Sequence, residues 1–183
     1  MKAKPGRRSG GVVLELERRD EPLLAAAEAG PFQMKRILVP VDFSDCSTKA
    51  LRYALPLAEQ QGASLALLYV VATPPYGFGE YSSINYAPLE MEMCASGKKA
   101  LANLARAEVG KRAPCEIAVR TGSPSNQIAE FARSLPADLI IISTHGYSGI
   151  KHVFMGSVAE HVVRHAPCPV LVVREREHEF IRS

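Results

Sequence analysis

No apolar stretch in this chain reaches the roughly twenty residues that a membrane-spanning helix needs. The basic start (Lys2, Lys4, Arg7, Arg8) resembles the front of a secretory leader, but Val12-Val13-Leu14 is all the apolar sequence that follows before Glu15 interrupts it. The expected compartment is therefore the cytoplasm. Cysteine is scarce and scattered: Cys46, Cys94, Cys115 and Cys168 form no pair at metal or redox spacing, and they are read as small buried hydrophobes kept reduced. An excess of one charge is missing as well. The formal net charge is only +3, and the basic surplus sits at the ends, in Lys2, Lys4, Arg7 and Arg8 and in Arg174, Arg176 and Arg182. Such ends read as solvated tails, so neither nucleic acid nor a membrane is expected as a partner.

Several catalytic signatures are absent too. There is no Gly-x-x-x-x-Gly-Lys-Ser/Thr run, hence no P-loop lysine for phosphate, and no Gly-x-Ser-x-Gly nucleophile elbow. Internal repeats and low-complexity tracts are lacking. What remains is an ordinary globular composition, 47% hydrophobic and 22% charged, in 183 residues, enough for one domain with a full core and something left over.

That domain shows itself as an alternation of strand and helix signals from Met34 to Val173. Arg36-Ile37-Leu38-Val39-Pro40-Val41-Asp42 is a strand-type apolar run. Ser44 or Asp45 then caps a helix in which Ala50, Leu51, Ala54, Leu57 and Ala58 recur at helical spacing, and Gly62 ends it. A second strand spans 63–71, stopped by Thr73-Pro74-Pro75, and the Gly-, Ser- and Tyr-rich stretch 76–86 reads as a surface loop. One helix is expected over 89–109, an outer strand over 115–120, and a helix from the Ser123-Pro124 start to Leu135. The series closes with the buried run Leu139-Ile140-Ile141-Ile142, a helix over 157–165 and a last strand over 170–173. Five strands joined by four crossover helices imply an α/β fold, a doubly wound five-stranded parallel sheet of Rossmann-like type.

Residues 1–33 fall outside the alternation and are expected to be a partly ordered extension, with Val12–Leu16 a possible edge strand and 23–29 a short helix. Residues 34–174 form the domain, and 175–183 a charged tail.

The most informative segment is Ser143-Thr144-His145-Gly146, followed after nine residues by Gly156-Ser157. A buried strand feeds small residues that let the backbone turn, and a helix begins at once. Ser157 and Glu160 have capping-box spacing, so Ser157 is expected at the N-cap. The exposed amides and positive dipole end of such a helix favour an anion. In a doubly wound sheet ligands bind beyond the carboxyl ends of the strands, where strand order reverses. If the strands ending at Asp42 and Ser143 are neighbours there, both face one cleft.

Together with Ile37-Leu38-Val39-Pro40-Val41-Asp42-Phe43-Ser44, Gly156-Ser157-Val158-Ala159-Glu160 and His165-Ala166-Pro167-Cys168-Pro169-Val170-Leu171-Val172-Val173, these motifs make the chain resemble the universal stress protein family over about 34–174. The resemblance implies the five-stranded parallel sheet, a dimer, and membership of either an ATP-binding group or a group that binds no nucleotide. ATP-binding members carry Gly, two residues, Gly, nine residues, then Gly and Ser or Thr. Gly146 and Gly156-Ser157 match, whereas Ser143 stands where the first glycine belongs. Carried over by position, Asp42 with Val41 lies near the ribose and adenine, and the Tyr69-Val70 backbone contacts adenine. Gly146, Gly156, Ser157 and Val158 hold the phosphates, with Ser143 and His145 beside them. The triphosphate is expected to bring a divalent ion, Mg2+.

Plainer roles stand beside these. Asp42 could merely close the strand end, Ser157 could merely cap a helix, and His145, Lys151 and His152 could merely face solvent. His161 and His165 share a helix face without the further ligands that zinc needs, so no metal site is assigned. The pyrophosphatase relatives of this fold carry Ser-Gly-Gly-x-Asp-Ser where this chain has Val41-Asp42-Phe43-Ser44. With no evident general base or arginine finger, ATP hydrolysis should be slow at most, and no catalytic residue is assigned. The apolar final strand, Val170–Val173, invites a homodimer through the sheet edge.

Overall fold

A computed structural model describes residues 2–5, 12–15, 33–73, 87–144 and 156–174. The chain divides into two units, Met1–Gln33 and Met34–Ser183. In the first, β1 (Lys2–Pro5) and β2 (Val12–Glu15) pair antiparallel, Lys2 opposite Glu15 and Pro5 opposite Val12. Val12–Glu15 is thus one arm of a two-stranded ribbon rather than an edge of the main sheet, and the helix expected over 23–29 lies outside the described residues.

The second unit is the doubly wound α/β fold. Its strands are β3 (Arg36–Pro40), β4 (Ser64–Ala72), β5 (Cys115–Gly122), β6 (Leu139–Ser143) and β7 (Val170–Val173), parallel throughout in the order β5-β4-β3-β6-β7. The helices are α1 (Asp45–Gln61), α2 (Ala87–Leu104), α3 (Pro124–Ser134) and α4 (Ser157–His165). The pleat sends Ile37, Val39, Leu65 and Leu67 to the face covered by α1 and α2. Leu38, Ala66, Leu68, Ile140 and Ile142 point to the face covered by α3 and α4. Because β3 is sandwiched on both faces, Ile37, Leu38 and Val39 are wholly buried, which is why an unbroken apolar run was needed there.

Local chemistry sets the ends of α1. The Ser44 hydroxyl accepts from the Ser47 amide, and Gly62, left-handed at φ 64°, donates to the Ala58 and Glu59 carbonyls. The helix expected over 89–109 divides: α2 ends at Leu104, and Ala105–Val109 form a π-helical turn closed by the Gly110 amide donating to the Ala105 carbonyl. The wider turn seats Val109 in the core while Glu108 meets Arg52 of α1 in a two-point ion pair, at 2.9 and 3.0 Å. Arg52 holds the Glu108 carboxyl below its ordinary range by that hydrogen bond. None of the four cysteines is disulfide-bonded, and all are half-buried rather than fully buried as expected. Burial pushes the thiols of Cys115 and Cys168 up from their ordinary range. Among the described residues, no helix is long and apolar enough to cross a membrane.

Candidate functional site

The chain leaves β3 toward β4 and β5 on one side, then returns to place β6 and β7 on the other, so strand order reverses between β3 and β6. These strands are hydrogen-bonded neighbours, with Ile37 opposite Leu139 and Leu38 opposite Ile140. The adjacency on which the cleft depends is therefore present: the segments after Pro40 and at Ser143 leave the sheet side by side at its carboxyl end.

On the β3 side, the Val41 amide donates to the Leu68 carbonyl at 2.8 Å, which carries the register past Pro40 and fixes where Asp42 begins. Asp42 is half-buried. Its Oδ1 accepts from both the Ser44 amide, at 3.1 Å, and the Ser44 hydroxyl, at 2.6 Å. The carboxylate thus steadies the cap of α1, so the plain strand-closing role is real. Val70 is half-buried and packs against the α3–α4 face of the core, in register with Arg120.

On the β6 side, Ser143 is half-buried and aligned with Val173. Thr144 is buried, 4% exposed, and its amide donates to the Val173 carbonyl at 2.9 Å. The Gly156 amide donates in turn to the Thr144 carbonyl at 2.8 Å, so the chain that departs after Thr144 is brought back beside it. The contact is close enough that a Cβ on Gly156 would stand 2.6 Å from the Thr144 oxygen, well inside van der Waals contact. Glycine is required here for that approach, since its φ of −66° is open to any residue.

Gly156, not Ser157, is the N-cap of α4, and the capping box does not form. The bond to Thr144 sets the helix start one residue early. The Glu160 carboxylate is drawn instead to Arg164 one turn on, at 2.9 and 3.2 Å. With glycine at the cap, no N-cap side chain takes up the first-turn amides, which is the condition an anion site needs. Ser157 is exposed, and Val158 packs against the core beneath it. His145 and Gly146 lie outside the described residues, as do Lys151 and His152 and the whole tyrosine-rich stretch 76–86. His161 and His165 do share a face, their rings stacked at 4.1 Å, but no group of three metal-ligating side chains occurs among the described residues.

Sequence reasoning missed two residues at this end of the sheet. Thr144 hid as a small polar residue in a loop, although it sets both the strand end and the return of the chain. Phe43 adopts a left-handed φ of 65°, where an L-residue with a side chain is strained by about 1–2 kcal/mol. Its ring lies 4.8 Å from that of Tyr69, tilted by 47°. A polar Asp-x-Ser turn ordinarily places Gly or Asn at x, so a phenylalanine there concealed the turn.

A parallel sheet of this order, with a helix start at its switch point, defines the Rossmann-like class of α/β proteins. Within that class the chain belongs to the universal stress protein family, whose model matches residues 34–174. It is 32% identical over 145 residues to universal stress protein MJ0531 from Methanocaldococcus jannaschii, covering 79% of this chain and 85% of that protein. Among solved structures, universal stress protein UspA from Lactobacillus plantarum is 31% identical with a TM-score of 0.69, over 79% of this chain and 100% of the other. A universal stress protein in complex with cAMP shares the fold at 23% identity and a TM-score of 0.53, over 79% of this chain and 100% of the other.

Proposed function

We propose that the cleft between the ends of β3 and β6 binds an adenine nucleotide, ATP with Mg2+, and that the protein acts as a nucleotide-responsive stress or signalling dimer with at most slow hydrolysis. The observation that carries this reading is the start of α4. Gly156 packs so closely on Thr144 that a Cβ would collide with its carbonyl oxygen, and this fixed backbone stands beside amides that no N-cap side chain occupies. A triphosphate supplies the negative charge such a helix end favours.

Gly156, Ser157 and Val158 would hold phosphate oxygens through backbone amides and the Ser157 hydroxyl, with Ser143, His145 and Gly146 beside them. Asp42, oriented by Ser44, would accept from the ribose, and the backbones of Val41 and Val70 would flank adenine. The divalent ion would ride on the phosphates. The family neighbour solved with cAMP agrees with an adenine ligand in this fold. The dimer would form through β7. The carbonyls of Pro169 and Val173 turn toward β6, so those of Val170 and Val172, with their amides, turn to the open edge.

The test is to denature the purified protein and identify any released nucleotide by mass, then titrate ATP, ADP and AMP with and without Mg2+ by calorimetry. Absence of both released nucleotide and measurable binding at millimolar ATP rejects the reading. One observation favours a second reading, a dimeric interaction protein that binds no nucleotide: Ser143 puts a Cβ and a hydroxyl where the family's nucleotide-binding pattern has glycine. On that reading, only a Ser143→Gly variant would bind.

A further inference from the structure

We infer that Phe43 is a positioning residue for Asp42, its ring held against Tyr69 so that the turn between them aims the carboxylate at the sugar of a bound nucleotide. The inference rests on the nucleotide reading above and adds a determinant to that site.

Three observations converge. Phe43 sits at φ 65°, a conformation that glycine reaches freely and that asparagine or aspartate eases with a local hydrogen bond. Phenylalanine has neither means, so its surroundings must impose the turn. Second, the ring makes a defined contact, 4.8 Å from Tyr69, while the residue stays 38% exposed. It is anchored on one side without being a core residue. Third, the left-handed turn is what brings the Ser44 amide and hydroxyl together onto Asp42 Oδ1, at 3.1 and 2.6 Å, and leaves the Asp42 amide 3.4 Å from Ser47 Oγ. Three hydrogen bonds with two residues, Ser44 and Ser47, therefore hold Asp42 at this turn.

Tyr69 is itself held in place. Gly97 of α2 passes so near that a Cβ there would lie 2.5 Å from the Tyr69 ring. A continuous line of contact thus runs from α2 through Tyr69 and Phe43 to the turn that carries Asp42. A glycine at 43 would make the same turn without strain. The phenylalanine ring supplies what glycine cannot, a fixed hold on that turn.

The test compares ATP with 2′,3′-dideoxy-ATP by calorimetry on the full chain and on Phe43→Gly and Tyr69→Leu variants, with thermal midpoints taken in parallel. The native chain is expected to bind ATP about tenfold tighter, the scale of one hydrogen bond to a charged group. Phe43→Gly is expected to bring that ratio to within about twofold while its midpoint holds or rises, because the strain is relieved. Tyr69→Leu removes the anchor from the other side and should lower the ratio in the same direction. A Phe43→Gly variant that keeps the native ratio overturns the inference and leaves the nucleotide reading standing. A native chain that binds both compounds equally does the same, since Asp42 then makes no contact with the sugar. A native chain that binds neither removes the nucleotide reading, and the inference falls with it.

Discussion

Replacing Gly156 with alanine adds one methyl group where the structure leaves no room for it. The new carbon would stand 2.6 Å from the Thr144 carbonyl oxygen and 3.7 Å from its carbon. Backbone, not a flexible side-chain tip, must give way. Overpacking of this kind costs about 1–3 kcal/mol, and stretching the 2.8 Å bond from the Gly156 amide to Thr144 adds about 1 kcal/mol. Ala159 and Val162 remain buried and hold α4 on the sheet, so the helix should tilt rather than detach. A loss of about 2–4 kcal/mol lowers the midpoint by roughly 5–15 °C for a domain near this size. Because the tilt displaces the first-turn amides, ATP affinity should fall about ten- to hundredfold, the worth of one charge-assisted hydrogen bond. Circular dichroism melts and calorimetry read the two quantities separately. Ser157→Ala is the control: an exposed residue in the first turn, not the cap, should leave the stability within about 0.5 kcal/mol of native while weakening ATP binding. An alanine at 156 with native midpoint and native affinity would refute the close approach and the phosphate cradle together.

Glu108→Gln should cost about 1 kcal/mol or less at pH 7, because Arg52 is largely exposed and the pair is screened. Since Arg52 lowers the Glu108 pKa, that stabilisation is present above the unfolded value near 4.5 and is lost as pH falls through the lower folded value; urea midpoints of variant and native chain should therefore converge as the pH is taken down below 4.5. Gly97→Ala pushes a methyl group into the Tyr69 ring at 2.5 Å and should destabilise by about 1–3 kcal/mol in the same assay; a native midpoint would show that the ring rotates clear. Val172→Pro removes an amide from the open side of β7 and should give a folded monomer by light scattering; a native chain that is monomeric at micromolar concentration would instead dispose of the proposed edge dimer.

The elements legible in the sequence were those defined by long-range burial. Leu139-Ile140-Ile141-Ile142 and Ile37-Leu38-Val39 read as buried parallel strands because helices cover both faces of the sheet, and that requirement leaves an unbroken apolar run. Gly62 and Ser44 were legible for a different reason, since both end a helix by local chemistry that depends little on the rest of the chain. The start of α4 was misplaced by one residue because the deciding bond reaches back to Thr144, a partner that spacing alone cannot reveal. The capping box failed for the same kind of reason: Glu160 had Arg164 available as a competitor. The π-helical turn at Ala105–Val109 follows a tertiary demand, with Val109 and Glu108 each satisfied by a residue of another element. Of the candidate site, the sequence posed the pairing of β3 with β6 only as a condition, which the register meets, and the turn at Phe43 stayed hidden because its residue type contradicts its conformation.

The central place of β3 has a consequence during synthesis. It is the first strand of the sheet to leave the ribosome, yet one of its edges stays open until β6 emerges about a hundred residues later. Throughout that interval a nascent chain displays the unpaired amides and carbonyls of a largely apolar strand, the kind of edge that draws in other unfinished chains. Fragments that stop between β5 and β6 should therefore precipitate or ride on chaperones, while those extended through β7 should release and fold.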